Sequence, residues 1–95
     1  MTAYVVGEAE IVNPVEMKIY GPMVAAAVAK FGGRYLARGS QAEVFEGAPG
    51  HKFLIIEFPN ADVARAWFAS PEYAAAKEVR KGNSNLRLVL VEGKD

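Results

Sequence analysis

Gly32-Gly33-Arg34-Tyr35-Leu36-Ala37-Arg38-Gly39 decides how the rest of the chain is read. A glycine pair breaks whatever precedes it, and a further glycine closes the stretch. Between them the residues suit a strand, Gly33 to Gly39, whose strict alternation puts Arg34 and Arg38 on one face. Upstream there must be an element that a left-handed glycine can stop. Downstream there must be a strand to pair with.

Both are present. Upstream, Asn13-Pro14-Val15-Glu16 announces a helix: Asn13 suits the N-cap, Pro14 the first helical position, and Glu16 can close a capping box. The helix runs to about Phe31, with Tyr20, Val24, Val28 and Phe31 on one stripe, and Gly32 is its stop. Gly21-Pro22 inside it predicts a kink or a fresh start. Before it, Ala3 to Ile11 reads as a strand. Downstream, Gly39-Ser40-Gln41 predicts a bulge or bend, with strand-like sequence resuming over Ala42 to Glu46. Gly47-Ala48-Pro49-Gly50 predicts a turn, and His51 to Phe58 completes a hairpin. Asn60 caps a second helix carrying Val63, Ala64, Trp67 and Phe68. Ser70-Pro71-Glu72 breaks and restarts that helix, and Gly82 stops it near Lys81. Asn85 to Glu92 is the last strand. The order β-α-β-β-α-β, with two helices over one face of a four-stranded antiparallel sheet, is an α+β ferredoxin-like arrangement.

Composition sets the outer limits. Ninety-five residues suffice for one domain, 1–95, with one core. At 52% apolar and 23% charged the chain belongs with globular rather than disordered sequences. A formal net charge of zero gives no bulk attraction for nucleic acid or an anionic membrane. With no cysteine, disulfides and thiolate metal sites are excluded and a cytoplasmic location is expected. No signal peptide and no membrane-spanning apolar run is apparent.

Alternation sorts the strands by face. Val5, Ala9, Ile11, Tyr35, Ala37, Leu54, Ile56, Phe58, Leu86, Leu88 and Leu90 form an uncharged set that belongs under the helices. The opposite set contains Val6, Leu36, Phe53, Ile55, Val89 and Val91 beside Tyr4. It is too apolar for a solvent face. A second copy packed face to face, closing a dimeric barrel, is the simplest cover. Arg34, Arg38 and Arg87 would then pair with Glu8, Glu10 and Glu57, because unpaired charge in such a face costs several kcal/mol, by order of magnitude.

The segments so far described resemble the domain-of-unknown-function family 1330 of the dimeric α/β-barrel superfamily. The resemblance rests on residues 32–39, Phe45-Glu46-Gly47, Ile55-Ile56-Glu57-Phe58-Pro59, Trp67 through Ser70-Pro71-Glu72-Tyr73, and Leu90-Val91-Glu92-Gly93. It covers nearly the whole chain. It implies the fold and a homodimer, and no activity. Cofactor-independent monooxygenases share the superfamily. By that analogy Trp67 and Tyr73 would line a pocket between helices and sheet; the plainer reading makes both rings core anchors.

Other candidates are weighed on their chemistry. Arg38 and Glu57, if neighbours on paired strands, would be an anion anchor and a general base; a structural ion pair is the simpler account. Tyr20, beside Gly21-Pro22, would donate to a ligand if the irregularity opened a cavity, and is otherwise a core aromatic. Arg80 suits a helix C-terminus. His51 stands without an acidic cluster in sequence, which argues against metal or base chemistry. Ser40, Ser70 and Ser84 have no histidine partner in sequence, and Ser70 suits a helix cap. Gly32-Gly33 follows a helix, the wrong order for a phosphate loop. No cofactor or metal site is expected. Three functions remain: a small-molecule binder using Tyr20, Arg38, Glu57, Trp67 and Tyr73, a cofactor-independent oxygenase or isomerase, and an interaction module with a fully packed interior.

Overall fold

The structure, a computed structural model, describes residues 1–48 and 50–94, and of Ser40 the backbone alone. The chain runs β1 (Ala3–Ile11), α1 (Pro14–Lys30), β2 (Arg34–Gln41), β3 (Lys52–Phe58), α2 (Ala61–Phe68), α3 (Pro71–Arg80) and β4 (Ser84–Glu92). The strands form one antiparallel sheet in the order β2-β3-β1-β4. This is the ferredoxin-like architecture, with the second helix split in two.

Local sequence accounts for most of the boundaries. The Gly32-Gly33 pair closes α1 with a Schellman motif: Gly32 N–H donates to the Ala29 carbonyl and Gly33 N–H to that of Val28, 3.1 and 2.9 Å. Gly32 takes a φ of +72°, open to glycine at no steric cost. Gly33 is a glycine for space instead, since a Cβ there would stand 2.7 Å from the Phe58 ring. Asn60 Oδ1 accepts from Val63 N–H at 2.9 Å and Ser70 Oγ from Tyr73 N–H at 3.1 Å. These are two of the three N-caps the sequence announces, each worth about 1 kcal/mol.

Four expectations need correction. Asn13 occupies the N-cap position of α1 but makes no capping bond. Its amide donates to Asn83 Oδ1 at 2.9 Å instead, tying the helix start to the turn before β4. No capping box forms with Glu16; Pro14 at the first position already removes one orphan donor. Pro22 does not start a fresh helix, because α1 runs through it as one element. The strand-like Ala42 to Glu46 segment is not a strand: β2 ends at Gln41, and an irregular loop leads to β3. Pro49, in the turn read from Gly47 to Gly50, lies outside the described residues.

The core lies between helices and sheet. Val5, Ile56 and Phe58 face up from the strands to Tyr20, Val24 and Val28 of α1 and to Ala64, Trp67, Tyr73 and Ala76. Trp67 is the centre of an aromatic stack, 4.4 Å from the Tyr73 ring and 5.3 Å from Phe58 by centroids. No helix or strand of the described residues covers the opposite face of the sheet. Leu36 and Val91 are each 47% exposed there, and the molecule is a slab of 35 × 34 × 16 Å.

Candidate functional site

Two cavities among the described residues lie between helices and sheet, and the first is made by an irregular strand. β2 pairs with β3 through Arg34–Glu57 and Tyr35–Ile56, then shifts register to Ala37–Ile55 and Arg38–Leu54, then shifts again to Ser40–Phe53. Each shift inserts one extra residue and turns the following side chains over. Gly39, at φ +66°, sits at the second shift. Two consequences follow. Ala37 faces the open side with Ile55, not the helices. Arg38 faces the helices with Leu54, not the carboxylates of the open side.

Arg38 therefore projects toward α1. Its guanidinium donates to the Gly21 carbonyl at 3.2 Å and lies over the Tyr35 ring, 4.8 Å from the centroid. Gly21 suits this approach, because a Cβ there would stand 3.6 Å from the guanidinium, at ordinary contact. Arg38 and Tyr20 line a cavity of about 190 Å³ beneath the first half of α1. Lys52, Leu54, Ile11 and Leu86 belong to its floor, so it crosses all four strands. Lys52 and Arg38 are its cations, and none of its lining residues is acidic. Ser84, 8% exposed, lies at the β4 end with a hydroxyl that has no hydrogen-bond partner.

Tyr20 is the deep polar group of this cavity. Its hydroxyl meets that of Tyr73 at 3.1 Å inside the core, with either oxygen able to donate. Burial pushes the Tyr20 phenol well above its ordinary pKa, and the Tyr73 phenol adds to the shift. The Tyr35 phenol is also raised, chiefly by burial and against the opposing charge of Arg38. Both phenols are therefore neutral donors at physiological pH, unsuited to act as phenolate.

The second cavity, about 260 Å³, lies between α2 and β4 and is lined by Val5, Ala64, Trp67, Phe68, Leu88 and Leu90, among others. Trp67 is 1% exposed, and its indole Nε1 has no hydrogen-bond partner. Arg65 at its edge is paired with Asp62 at 3.0 Å. Tyr73 lines neither cavity: its ring stacks on Trp67 while its hydroxyl reaches Tyr20.

The five residues singled out by sequence thus divide. Tyr20 and Arg38 share the cavity beneath α1. Trp67 borders the other, and Tyr73 bridges the two. Glu57 joins none of them; it lies on the open face, where Arg34 Nε donates to it at 2.7 Å. The expected Arg38–Glu57 pair is replaced by Arg34–Glu57, because the first register shift comes between the two arginines. His51 also departs from its reading, since the fold brings it 3.9 Å from Glu10 while its backbone N–H donates to Glu8 at 3.3 Å. Among the described residues no group of three potential ligands is arranged to hold a metal ion. Sequence reading passed over Lys52 and Ser84 as cavity residues. Lys52 was within reach, since it alternates in step with Leu54, Ile56 and Phe58; nothing local marked Ser84.

Comparison with known proteins places the chain. The profile of the family "Domain of unknown function (DUF1330)" matches residues 2–94, and the chain belongs to that family. No curated protein matches it. Among solved structures, a protein of unknown function from Rhodopseudomonas palustris is similar, with 14% identity, a TM-score of 0.79, and 99% of this chain and 83% of that one covered. SnoaB, a cofactor-independent oxygenase from Streptomyces nogalater, is 15% identical with a TM-score of 0.68, covering 99% and 94%. A dimeric ferredoxin-like protein of unknown function from Jannaschia sp. CCS1 is 9% identical with a TM-score of 0.77, covering 98% and 100%. At these identities the likeness is one of fold. No helix of the described residues is long and apolar enough to cross a membrane.

Proposed function

We propose that this member of the DUF1330 family is a cytoplasmic, homodimeric small-molecule binding protein whose ligand occupies the cavity beneath α1. The observation that carries the reading is Arg38. Its guanidinium is directed to the mouth of an apolar cavity with no carboxylate in the lining to neutralise it. A cation kept at an apolar cleft without an acidic partner favours a polar or anionic ligand group over an empty site.

Three features support the dimer. The open sheet face exposes Leu36, Val89 and Val91 together. The accessible surface of 6043 Å² exceeds the roughly 5,400 Å² usual for a monomer of this mass. The excess is of the order of one partner's share of a standard interface, about 800 Å². The Jannaschia neighbour, described as dimeric, has the same fold. Sedimentation at micromolar concentration tests it: a dimer is expected, and a monomer contradicts the cover assigned to this face. For the ligand, a thermal-shift screen of small carboxylates and phenols on the wild type and Arg38→Ala is the test. Stabilisation that needs Arg38 is expected; no stabilisation by any member of the screen counts against the reading.

A second reading, a cofactor-independent oxygenase or isomerase, is favoured by one observation. The buried Tyr20–Tyr73 hydroxyl pair abuts the cavity and offers a neutral proton donor to a bound carbonyl. SnoaB shares the fold. Oxygen uptake or isomer formation lost in Tyr20→Phe would identify it.

A further inference from the structure

The outer face of α1 carries an apolar stripe of its own. Val15, Ile19, Pro22, Ala26 and Ala29 are all exposed, Val15 to 69% and Ile19 to 62%. They follow one another at spacings of four, three, four and three residues, the pattern of a coiled-coil seam over two heptads. At 100° per residue the five fall within an arc of roughly 80°. That arc lies opposite Tyr20, Val24 and Val28, which enter the core. A helix apolar on both sides is ordinarily packed on both. The charged residues of α1, Glu16, Lys18 and Lys30, flank the outer stripe and do not interrupt it.

We infer that this face is a second self-interface, on which α1 of one copy packs antiparallel against α1 of another and joins two sheet-face dimers into a tetramer. This rests on the dimer assigned to the open sheet face. The stripe is bulky at its N-terminal end and small at its C-terminal end. An antiparallel pair centred on Pro22 sets Val15 against Ala29 and Ile19 beside Ala26 of the second copy, so each bulky side chain meets a small one. A parallel pair would set Val15 and Ile19 against themselves and leave the alanines facing a gap. Charge makes the same choice. The antiparallel pair brings Lys30 and Glu16 of the second copy to one flank, about 3 Å apart along the axis. Lys30 also pairs with Glu72 of its own chain, yet its side chain stays 59% exposed. The helix dipoles oppose one another favourably in this orientation. Area fixes the assembly. The 17 residues of α1 make a strip about 25 Å by 10 Å, roughly 250 Å². That is well short of the about 800 Å² each partner gives to a standard interface. One such contact does not hold two monomers together, whereas two formed at once between a pair of two-fold dimers reinforce each other. The inner face of the same helix lines the ligand cavity with Met17, Tyr20 and Val24, so the contact braces that wall from outside.

Sedimentation equilibrium from micromolar to millimolar protein tests the assembly. The wild type is expected to be a dimer at the low end and a tetramer at the high end. Ile19→Glu, at an exposed position, should remain a dimer throughout. A wild type that stays dimeric overturns the tetramer and leaves the sheet-face dimer standing; one that stays monomeric overturns both. Tetramers that persist in Ile19→Glu place the contact elsewhere and overturn the inference. Cross-linking reads the orientation. The chain has no cysteine, so Pro22→Cys oxidised with diamide should give a disulfide-linked pair of chains. Val15→Cys should not, because two copies of position 15 lie about 21 Å apart along an antiparallel pair. Cross-linking of Val15→Cys, or none in Pro22→Cys, overturns the antiparallel arrangement. A wild type that stays dimeric and binds phosphatidylglycerol vesicles, with binding lost in Ile19→Glu, would give the face to a membrane and overturn the self-interface.

Discussion

The two cavities lie on the same side of the same sheet, yet their walls answer to different demands. The one beneath α2 is bordered by Trp67, a ring at the centre of the core that touches Phe58 and Tyr73; its cation, Arg65, is already paired. The one beneath α1 opens between exposed cations, Arg38 and Lys52, that no core packing requires. A wall that doubles as core is constrained by folding, whereas a mouth built of exposed side chains is free to be shaped by a ligand. That difference is why the functional site is assigned to the smaller cavity.

The largest expected effect tests the core side of the contrast. Trp67→Ala should destabilise the fold by about 3–5 kcal/mol in urea unfolding. A loss below about 1 kcal/mol would mean that the ring is not holding the core, and the contrast would collapse. Next is the hydroxyl pair that joins the two regions. Tyr20→Phe and Tyr73→Phe should each cost about 1–2 kcal/mol, and the double variant less than the sum, since the second change removes a group left unpartnered by the first. Strict additivity would show that the phenols are not coupled.

Alkaline titration reaches the same pair. Burial holds the Tyr20 phenol above its ordinary value, so folding favours the neutral form. That contribution is complete below the unfolded phenol's pKa, near pH 10, and is lost as pH rises beyond it toward the raised folded value. Unfolding free energy measured against pH should fall above about pH 10, and less steeply in Tyr20→Phe. The smallest effects belong to the mouth. Arg38→Ala should change stability by no more than about 0.5–1 kcal/mol. Gly21→Ala should stabilise α1 by up to about 1 kcal/mol, since a Cβ there meets only ordinary contact. A large loss in either would make the mouth part of the scaffold.

Much of the fold is legible in the sequence because its boundaries are written locally. Gly32, Asn60, Ser70-Pro71 and Gly82 each act through their own backbone neighbours, and each ends or begins an element as read. The apolar period of β1, β3 and β4 holds, so their faces sort correctly. What alternation cannot carry is a register shift. One extra residue between Tyr35 and Ala37 reverses Ala37 and Arg38, before the second shift turns the strand back, so Arg34 stays on the open face and Arg38 crosses to the helices. Gly39-Ser40 hinted at the second shift, and nothing in Tyr35-Leu36-Ala37 announced the first. The site was half legible for the same reason. Tyr20 follows from helical spacing, while the company it keeps with Arg38, Lys52 and Ser84 is a product of tertiary register. Asn13 illustrates the other limit, a residue suited to a cap that finds a better partner across the chain in Asn83.

Arg34 and Arg38, four residues apart in one strand, therefore offer the most direct test. The affinity of the small carboxylate that most stabilises the wild type should be measured by calorimetry for the wild type, Arg34→Gln and Arg38→Gln. The account predicts that Arg38→Gln weakens binding by about tenfold or more, while Arg34→Gln, whose side chain pairs with Glu57 on the opposite face, binds as the wild type does. Equal losses in both variants, or a loss in Arg34→Gln alone, would contradict it.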